Sequence, residues 1–332
     1  MCGLRTALFA ASAARLAVDD ASLDVCGSGA AIVIGTSFGE MPAFVDMAEA
    51  WHRGGWGRPE PRIAAQAPAS QLGVAAAHEL GAAGEVITLG TACAAGNYAL
   101  GYGFDLITLG EADVAVAGGA DSVNRFTHAG FHRIGALAAD VCRPFDMHRD
   151  GILPGEGGVA LVLEALEHAQ SRGARIYAEM LGYGMTCDAK HPVAPDVDSI
   201  ARCFALAHRR AGVSPQEIDY VCAHGTGTKT NDLVEARAMH AVFGEKPPPV
   251  NSIKSMLGHT MGAASGFGAV ACALSVSLGF LPPTINHQVT DPEFADLDLV
   301  VNRSRNSAVR VAQNNGFAFG GNNAVTLFGS VR

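Results

Sequence analysis

The sequence predicts an α/β protein made of two similar halves. Three observations lead there. Short apolar runs alternate with segments whose apolar residues fall at helical spacing. Strand, glycine-rich loop and helix recur in that order in both halves of the chain. Almost half of the 332 residues are hydrophobic, only 17% are charged and 40 are glycine, which suits a large, closely packed core with many tight turns and excludes a disordered or fibrous chain.

Taken in order, residues 4–18 carry apolar positions at helical spacing, among them Leu4, Leu8, Ala11 and Ala14. Residues 30–35 form a short apolar strand closed by Gly-Thr-Ser. Residues 41–52 read as a helix, 54–61 as a turn-rich loop flanked by Arg53 and Arg62, and 68–80 as a second helix. Residues 86–89 are a strand leading into a turn and a helix at Cys93. Residues 114–119 are a buried strand closed by glycines, and 143–158 a long irregular loop. A strand at 159–163 and a helix at 164–172 close the first half. In the second half, strands are expected at 176–181, 218–222, 250–253, 309–314 and 324–328. Helices are expected at 199–211, 231–243 and 262–279. The alternation argues for parallel pairing. The joint between the halves falls near residue 165, giving halves 1–165 and 166–332.

The net charge of −9 disfavours a nucleic-acid surface. The eight cysteines are scattered, with no Cys-x-x-Cys pair and no zinc spacing. No secretory leader pattern and no membrane span is read from the sequence. A reducing cytoplasm is the expected compartment.

Four strand ends carry the candidate chemistry, as α/β folds tend to arrange it. In Gly90-Thr91-Ala92-Cys93-Ala94-Ala95-Gly96, a thiol sits where a helix begins. Unpaired N–H groups and the positive end of the helix dipole bias a thiol there toward thiolate, the nucleophilic form. The alternative is a small buried hydrophobe. His224-Gly225-Thr226-Gly227-Thr228 pairs a histidine with two hydroxyls beside permissive glycines. Lys254-Ser255-Met256-Leu257-Gly258-His259 adds a lysine and a second histidine. Phe317-Ala318-Phe319-Gly320-Gly321 could present backbone N–H groups to an oxyanion. Taken singly, each histidine could be a hydrogen-bonded core residue and the Phe-Gly-Gly loop a plain turn.

Together these motifs resemble those of the β-ketoacyl-acyl-carrier-protein synthases, condensing enzymes of the thiolase-like superfamily. Thr91-Ala92-Cys93-Ala94 resembles the family's nucleophile motif. Pro144-Phe145-Asp146, Arg149-Asp150-Gly151 and Gly155-Glu156-Gly157 resemble its central stretch. The two histidine motifs and the closing Phe-Gly-Gly loop follow in the family's order, over residues 91–323. The resemblance implies a layered α-β-α-β-α fold of two pseudo-repeated βαβ halves. It implies that Cys93 carries the acyl chain, that His224 and His259 are catalytic with Lys254 tuning them, and that the N–H groups of Cys93 and Phe319 form an oxyanion hole. Thr226, Thr228 and Phe317 would bind substrate, with Phe319 as a gate and Asp232 and Glu156 as supports. The alternative for Lys254, Asp232 and Glu156 is a buried structural ion network. No cofactor is implied beyond the phosphopantetheine of acyl-carrier protein, and no metal. Implied partners are acyl-carrier protein and either a second copy or a ketosynthase-like chain.

Two departures stand out. The family opens with a strand that this chain lacks, expected to be central in the first sheet. Nine residues after His259, where many fatty-acid members carry Glu, this chain has Gly268. A non-catalytic, chain-length-factor-like subunit is the alternative function. It is disfavoured by the presence of Cys93 and both histidines.

Overall fold

The computed structural model describes residues 5–54 and 61–331. The chain folds into two compact units that are not consecutive stretches of sequence. One holds the described residues up to Ile134, with Gly155–Ala174 and Thr260–Ala263. The other holds Gly135–Pro154, Arg175–His259 and the chain from Ala264 onward.

The first unit contains α1 (Arg5–Asp20), β1 (Ala31–Thr36), α2 (Met41–Gly54), α3 (Pro61–Gln66), α4 (Gln71–Leu80), β2 (Val86–Gly90), α5 (Ala95–Thr108), β3 (Val114–Asp121), α6 (Arg125–Arg133), β4 (Gly157–Glu164) and α7 (Leu166–Ser171). Its sheet runs β2-β1-β3-β4, with β1 parallel to both neighbours and β4 antiparallel to β3. Every residue of β1 and β3 is buried, as expected of strands covered on both faces. The period of two sorts them: Val114, Val116 and Ala120 join Ile32, Ile34, Leu72 and Ala76 in one core under α1 and α4. Ala115 and Ala117 point the other way, against Gly103 of α5.

The second unit contains β5 (Glu179–Cys187), α8 (Val197–Ala211), β6 (Tyr220–Cys222), α9 (Lys229–Phe243), β7 (Val250–Asn251), α10 (Lys254–Leu257), α11 (Ala264–Leu278), β8 (Phe280–Leu281), β9 (Arg305–Asn306), β10 (Val311–Phe317) and β11 (Asn322–Gly329). Its main sheet runs β5-β11-β10-β6-β7. One face carries α8 and α9, where Ile200, Phe204, Ala236 and Met239 pack on Val221, Val325 and Leu327. The other carries α11, from which Cys272 reaches the Gln313 carbonyl at 3.6 Å. Met261–Leu278 is long and apolar enough to cross a membrane by length and composition. Here it is mostly buried inside the protein, with α11 packed on β10 and β11.

Setting β5 aside, the two sheets share one order, β2-β1-β3-β4 and β7-β6-β10-β11. This is the internal duplication read from the sequence. It also corrects one expectation. The strand without a counterpart among the described residues, β5, lies at a sheet edge beside β11 and is not central.

Other expectations need adjusting. Pairing is mixed, because β4 and β11 run antiparallel to the strands beside them. The strand expected at 176–181 occupies 179–187 and runs through two glycines. Gly184 is needed there: a Cβ would lie 2.6 Å from Ala207 N on α8. The short helices α3 and α10 escaped the periodicity reading, and so did α6. The last of these is started by the Asn124 side chain, which accepts from Thr127 N at 2.9 Å. Residues 55–60 of the expected arginine-flanked loop lie outside the described residues.

Candidate active site

In the first unit, β2 delivers the chain to Cys93 through one 3-10 turn, Ala92–Ala94, after which α5 begins. The bend is strained: Ala92 has φ 49, a region L-residues rarely occupy. Cys93 is buried at 8% exposure, with α5 starting two residues later. β1 makes room for that start with Gly35, where a Cβ would lie 2.3 Å from the Ala95 carbonyl oxygen. Asp121, at the end of β3, accepts from Thr36 Oγ1 (2.8 Å), Ser37 N (2.7 Å), Phe38 N (3.1 Å) and Gly262 N (2.6 Å). Burial pushes its carboxyl up to about 6. Glu156 pairs with Arg5 and accepts from Val123 N, and the Arg5 guanidinium lowers its pKa.

In the second unit, β6 ends two residues before His224, whose ring lies 5.5 Å from that of His259 at a near-perpendicular 83°. Both are buried. His259 is pinned by its backbone N–H, which donates to the Leu153 carbonyl at 2.7 Å. Lys254, also buried, places its Nζ 3.4 Å from His224 Nδ1 and donates to the His224 carbonyl. An ammonium is a donor only, so Nδ1 presents its lone pair to Lys254 and the ring proton sits on Nε2. Burial first, then Lys254, hold both histidines well below their ordinary pKa, and His259 adds to the effect on His224. The pair is therefore neutral at physiological pH.

The loop after His224 is held by two buried carboxylates on α9. Glu235 accepts from His224 N (2.8 Å) and Gly225 N (2.7 Å). Asp232 accepts from Thr226 N (3.0 Å), Gly227 N (3.2 Å) and Phe145 N (2.9 Å), with Arg149 Nε at 3.7 Å. Burial raises the pKa of both acids, against these donors. Thus the Arg-Pro-Phe-Asp stretch braces the histidine loop. Phe145 takes φ 64 to reach Asp232 and stacks edge-on with Phe294 at 5.4 Å. Gly225 is required by contact, since a Cβ would meet Ser252 Cβ at 2.6 Å. Thr226 Oγ1 and Thr228 Oγ1 lie 2.9 Å apart, and Thr228 caps α9. Phe317 is buried with its ring 5.5 Å from that of His224. Phe319 is 40% exposed on a loop whose Gly320 and Gly321 have φ 86 and 82.

The second unit thus brings His224, His259, Lys254, Asp232, Thr226, Thr228 and Phe317 into one neighbourhood. Cys93 and Glu156 belong to the first unit, and Glu156 serves the start of α1 through Arg5. The sequence reading missed Glu235, Asn315 and Asp121. Glu235 was findable, three residues after Asp232 and so on the same helix face. Asn315 stands in a strand buried at every position, where an amide needs a reason. The Gly268 departure has a structural counterpart: a Cβ there would lie 2.1 Å from Asn314 Oδ1, so Asn314 fills that space. Asn314 is fixed by donating to the Ser265 carbonyl (2.8 Å) and Thr326 Oγ1 (3.2 Å).

Comparison with known proteins agrees with these motifs. Residues 5–169 match the N-terminal domain of β-ketoacyl synthase, and residues 177–288 its C-terminal domain. The chain is 38% identical to a 3-oxoacyl-[acyl-carrier-protein] synthase 2 of Synechocystis, over 96% of this chain and 80% of that protein. It is 38% identical to nodulation protein E of Rhizobium meliloti, over 98% and 82%. Among solved structures, the ishigamide ketosynthase/chain length factor superposes with a TM-score of 0.96 at 50% identity, covering 99% of this chain and 83% of that one. A type II polyketide ketosynthase in complex with its acyl-carrier protein superposes with a TM-score of 0.93 at 32% identity, covering 99% and 85%. With both domain models matched in order and relatives covering nearly its whole length, the chain belongs to the β-ketoacyl synthase family.

Proposed function

We propose that Cys93, His224 and His259 carry out the two halves of a decarboxylative condensation. The chain is a 3-oxoacyl-[acyl-carrier-protein] synthase, an acyltransferase that joins a malonyl unit to a cysteine-bound acyl chain. In this reading the Cys93 thiolate attacks the acyl thioester of a carrier protein, and the carrier thiol leaves. Malonyl carrier protein then enters. Nε2–H groups of His224 and His259 donate to its thioester oxygen as CO₂ departs and the enolate forms. The enolate carbon attacks the Cys93 thioester, Cys93 leaves, and a 3-oxoacyl product two carbons longer remains on the carrier. Backbone N–H groups of Cys93 and Phe319 serve as the second oxyanion hole. Thr226 and Thr228 hold the phosphopantetheine arm, Phe317 and Phe319 line its entry, and Asp232 keeps the histidine loop in shape. Glu156 supports the first unit through Arg5.

The observation that carries this reading is the buried histidine pair with Lys254 on Nδ1 of His224. It yields neutral donors, which a developing enolate requires, where a protonated imidazole would need a counter-charge. A chain-length-factor role needs none of this chemistry, and the kept nucleophile speaks against it. The proposed partners are acyl-carrier protein and a second chain, either a copy or a ketosynthase-like relative. The reaction calls for no cofactor beyond the carrier's phosphopantetheine, and free thiols fit a reducing cytoplasm. The test is intact mass after incubation with acyl carrier protein. A wild-type adduct absent from Cys93→Ala, and discharged to 3-oxoacyl product by malonyl carrier protein, is expected. A folded protein that takes no acyl group contradicts the reading.

A further inference from the structure

A line of buried polar side chains runs along β10 away from His224. Asn315 Nδ2 donates to Glu235 Oε1 at 2.9 Å, the carboxylate that also holds the His224 and Gly225 N–H groups. Gln313 Nε2 donates to Asn315 Oδ1 at 2.8 Å. His208 Nε2, in the last turn of α8, lies 2.6 Å from Gln313 Oε1. An amide oxygen only accepts, so His208 carries its proton on Nε2. Every donor in the line therefore points toward Glu235. Gln313 and Asn315 sit two apart on a strand and share the face toward α8 and α9. All four side chains are at least 97% buried: Gln313 and Glu235 at 0% exposure, Asn315 at 2% and His208 at 3%.

Packing alone does not account for the line. Apolar residues at 208, 313 and 315 would fill the same space without polar groups to satisfy, and His208 Nδ1 is left with no hydrogen-bond partner. The benefit lies at the far end. Glu235 Oε1 accepts from both Asn315 and His224, so the orientation of one amide fixes the carboxylate that aims the His224 backbone.

We propose that Gln313 and His208 are positioning residues for the decarboxylation step, acting on His224 through Asn315 and Glu235. The proposal rests on the assignment of His224 to that step. Cys93 stands in the first unit and its acylation does not call on the line.

The test separates positioning from mere stability by removing both ends of one hydrogen bond. In His208→Leu/Gln313→Leu both ends of that bond go together and the buried group left without its donor is Asn315 Oδ1, so a modest fall in melting temperature with the fold kept is expected. Three readouts are taken on wild type and variant: Cys93 acylation by intact mass, CO₂ release from malonyl carrier protein, and the KM for that carrier. Wild type that acylates Cys93 and releases CO₂, with release lost in His224→Ala, upholds the underlying assignment on its own. The double variant should then acylate Cys93 at the wild-type rate, keep its KM and release CO₂ roughly ten- to a hundredfold more slowly, the scale of a small misplacement of a reacting group. Release at the wild-type rate from the folded double variant overturns the proposal. If that variant does not fold, His208→Leu and His208→Gln decide it. Gln restores a donor toward Gln313, so it should release CO₂ faster than Leu at equal acylation; equal release from the two overturns the proposal.

Discussion

At the residue scale, the argument turns on charge. Lys254 and burial depress both histidines, so the unfolded chain binds more protons than the folded one below pH 6.5. Two consequences follow in the same direction. The stability due to these histidines is complete above pH 6.5 and is lost as pH falls below it. CO₂ release, which under our proposal needs the neutral form, should stay flat from pH 8 to below pH 6.5 and decline only in more acidic buffer. Lys254→Met removes the charge that lowers them, so its acid limb should move to higher pH; an unmoved limb would contradict the role given to Lys254. The motif residues stood out one by one, since each lies in a short motif that also carries glycine. Their electrostatics were not legible, because burial is set by distant strands. Gly268 shows the same limit. Its meaning depends on Asn314, far along the chain, and Gly268→Ala should destabilise by about 1–3 kcal/mol through crowding. Adding Asn314→Ser should recover much of the loss in a thermal melt.

At the element scale, hydrophobic periodicity found the long helices and the buried strands because each has an apolar face repeated several times. It failed where structure rests on a single contact. The helix α6 is half polar and depends on its Asn124 cap, so Asn124→Ala should cost about 1 kcal/mol in chemical denaturation. The strand β5 continues through Gly182 and Gly184, which look like breakers in sequence and serve as clearance for α8. Gly35 does the same for α5. Gly35→Ala would press a methyl group onto the Ala95 carbonyl and displace the start of the nucleophile helix. Acylation of Cys93 should fall well before global stability is lost, which pulsed intact-mass measurements would register.

At the scale of the whole molecule, the duplication was legible as recurring strand, loop and helix, while the sheet order was not. Order is decided by pairing between segments far apart, on which local spacing is silent. That is why the family's opening strand was expected in the middle of a sheet, while β5, the first strand of the second unit, was found at an edge. The nucleophile and the histidine pair fall in different units, which divides the proposed reaction into an acylation that Cys93 performs and a decarboxylation that the histidines perform. The strand β2 is an edge of its sheet and only partly buried, which suits the proposed pairing with a second chain. Light scattering on the purified chain should return twice its mass. The most direct measurement of the central claim is made on His259→Ala pre-loaded with an acyl group. Our account predicts that the adduct on Cys93 forms as in wild type and persists when malonyl carrier protein is added, with no CO₂ released. An adduct discharged to 3-oxoacyl product at the wild-type rate would contradict it.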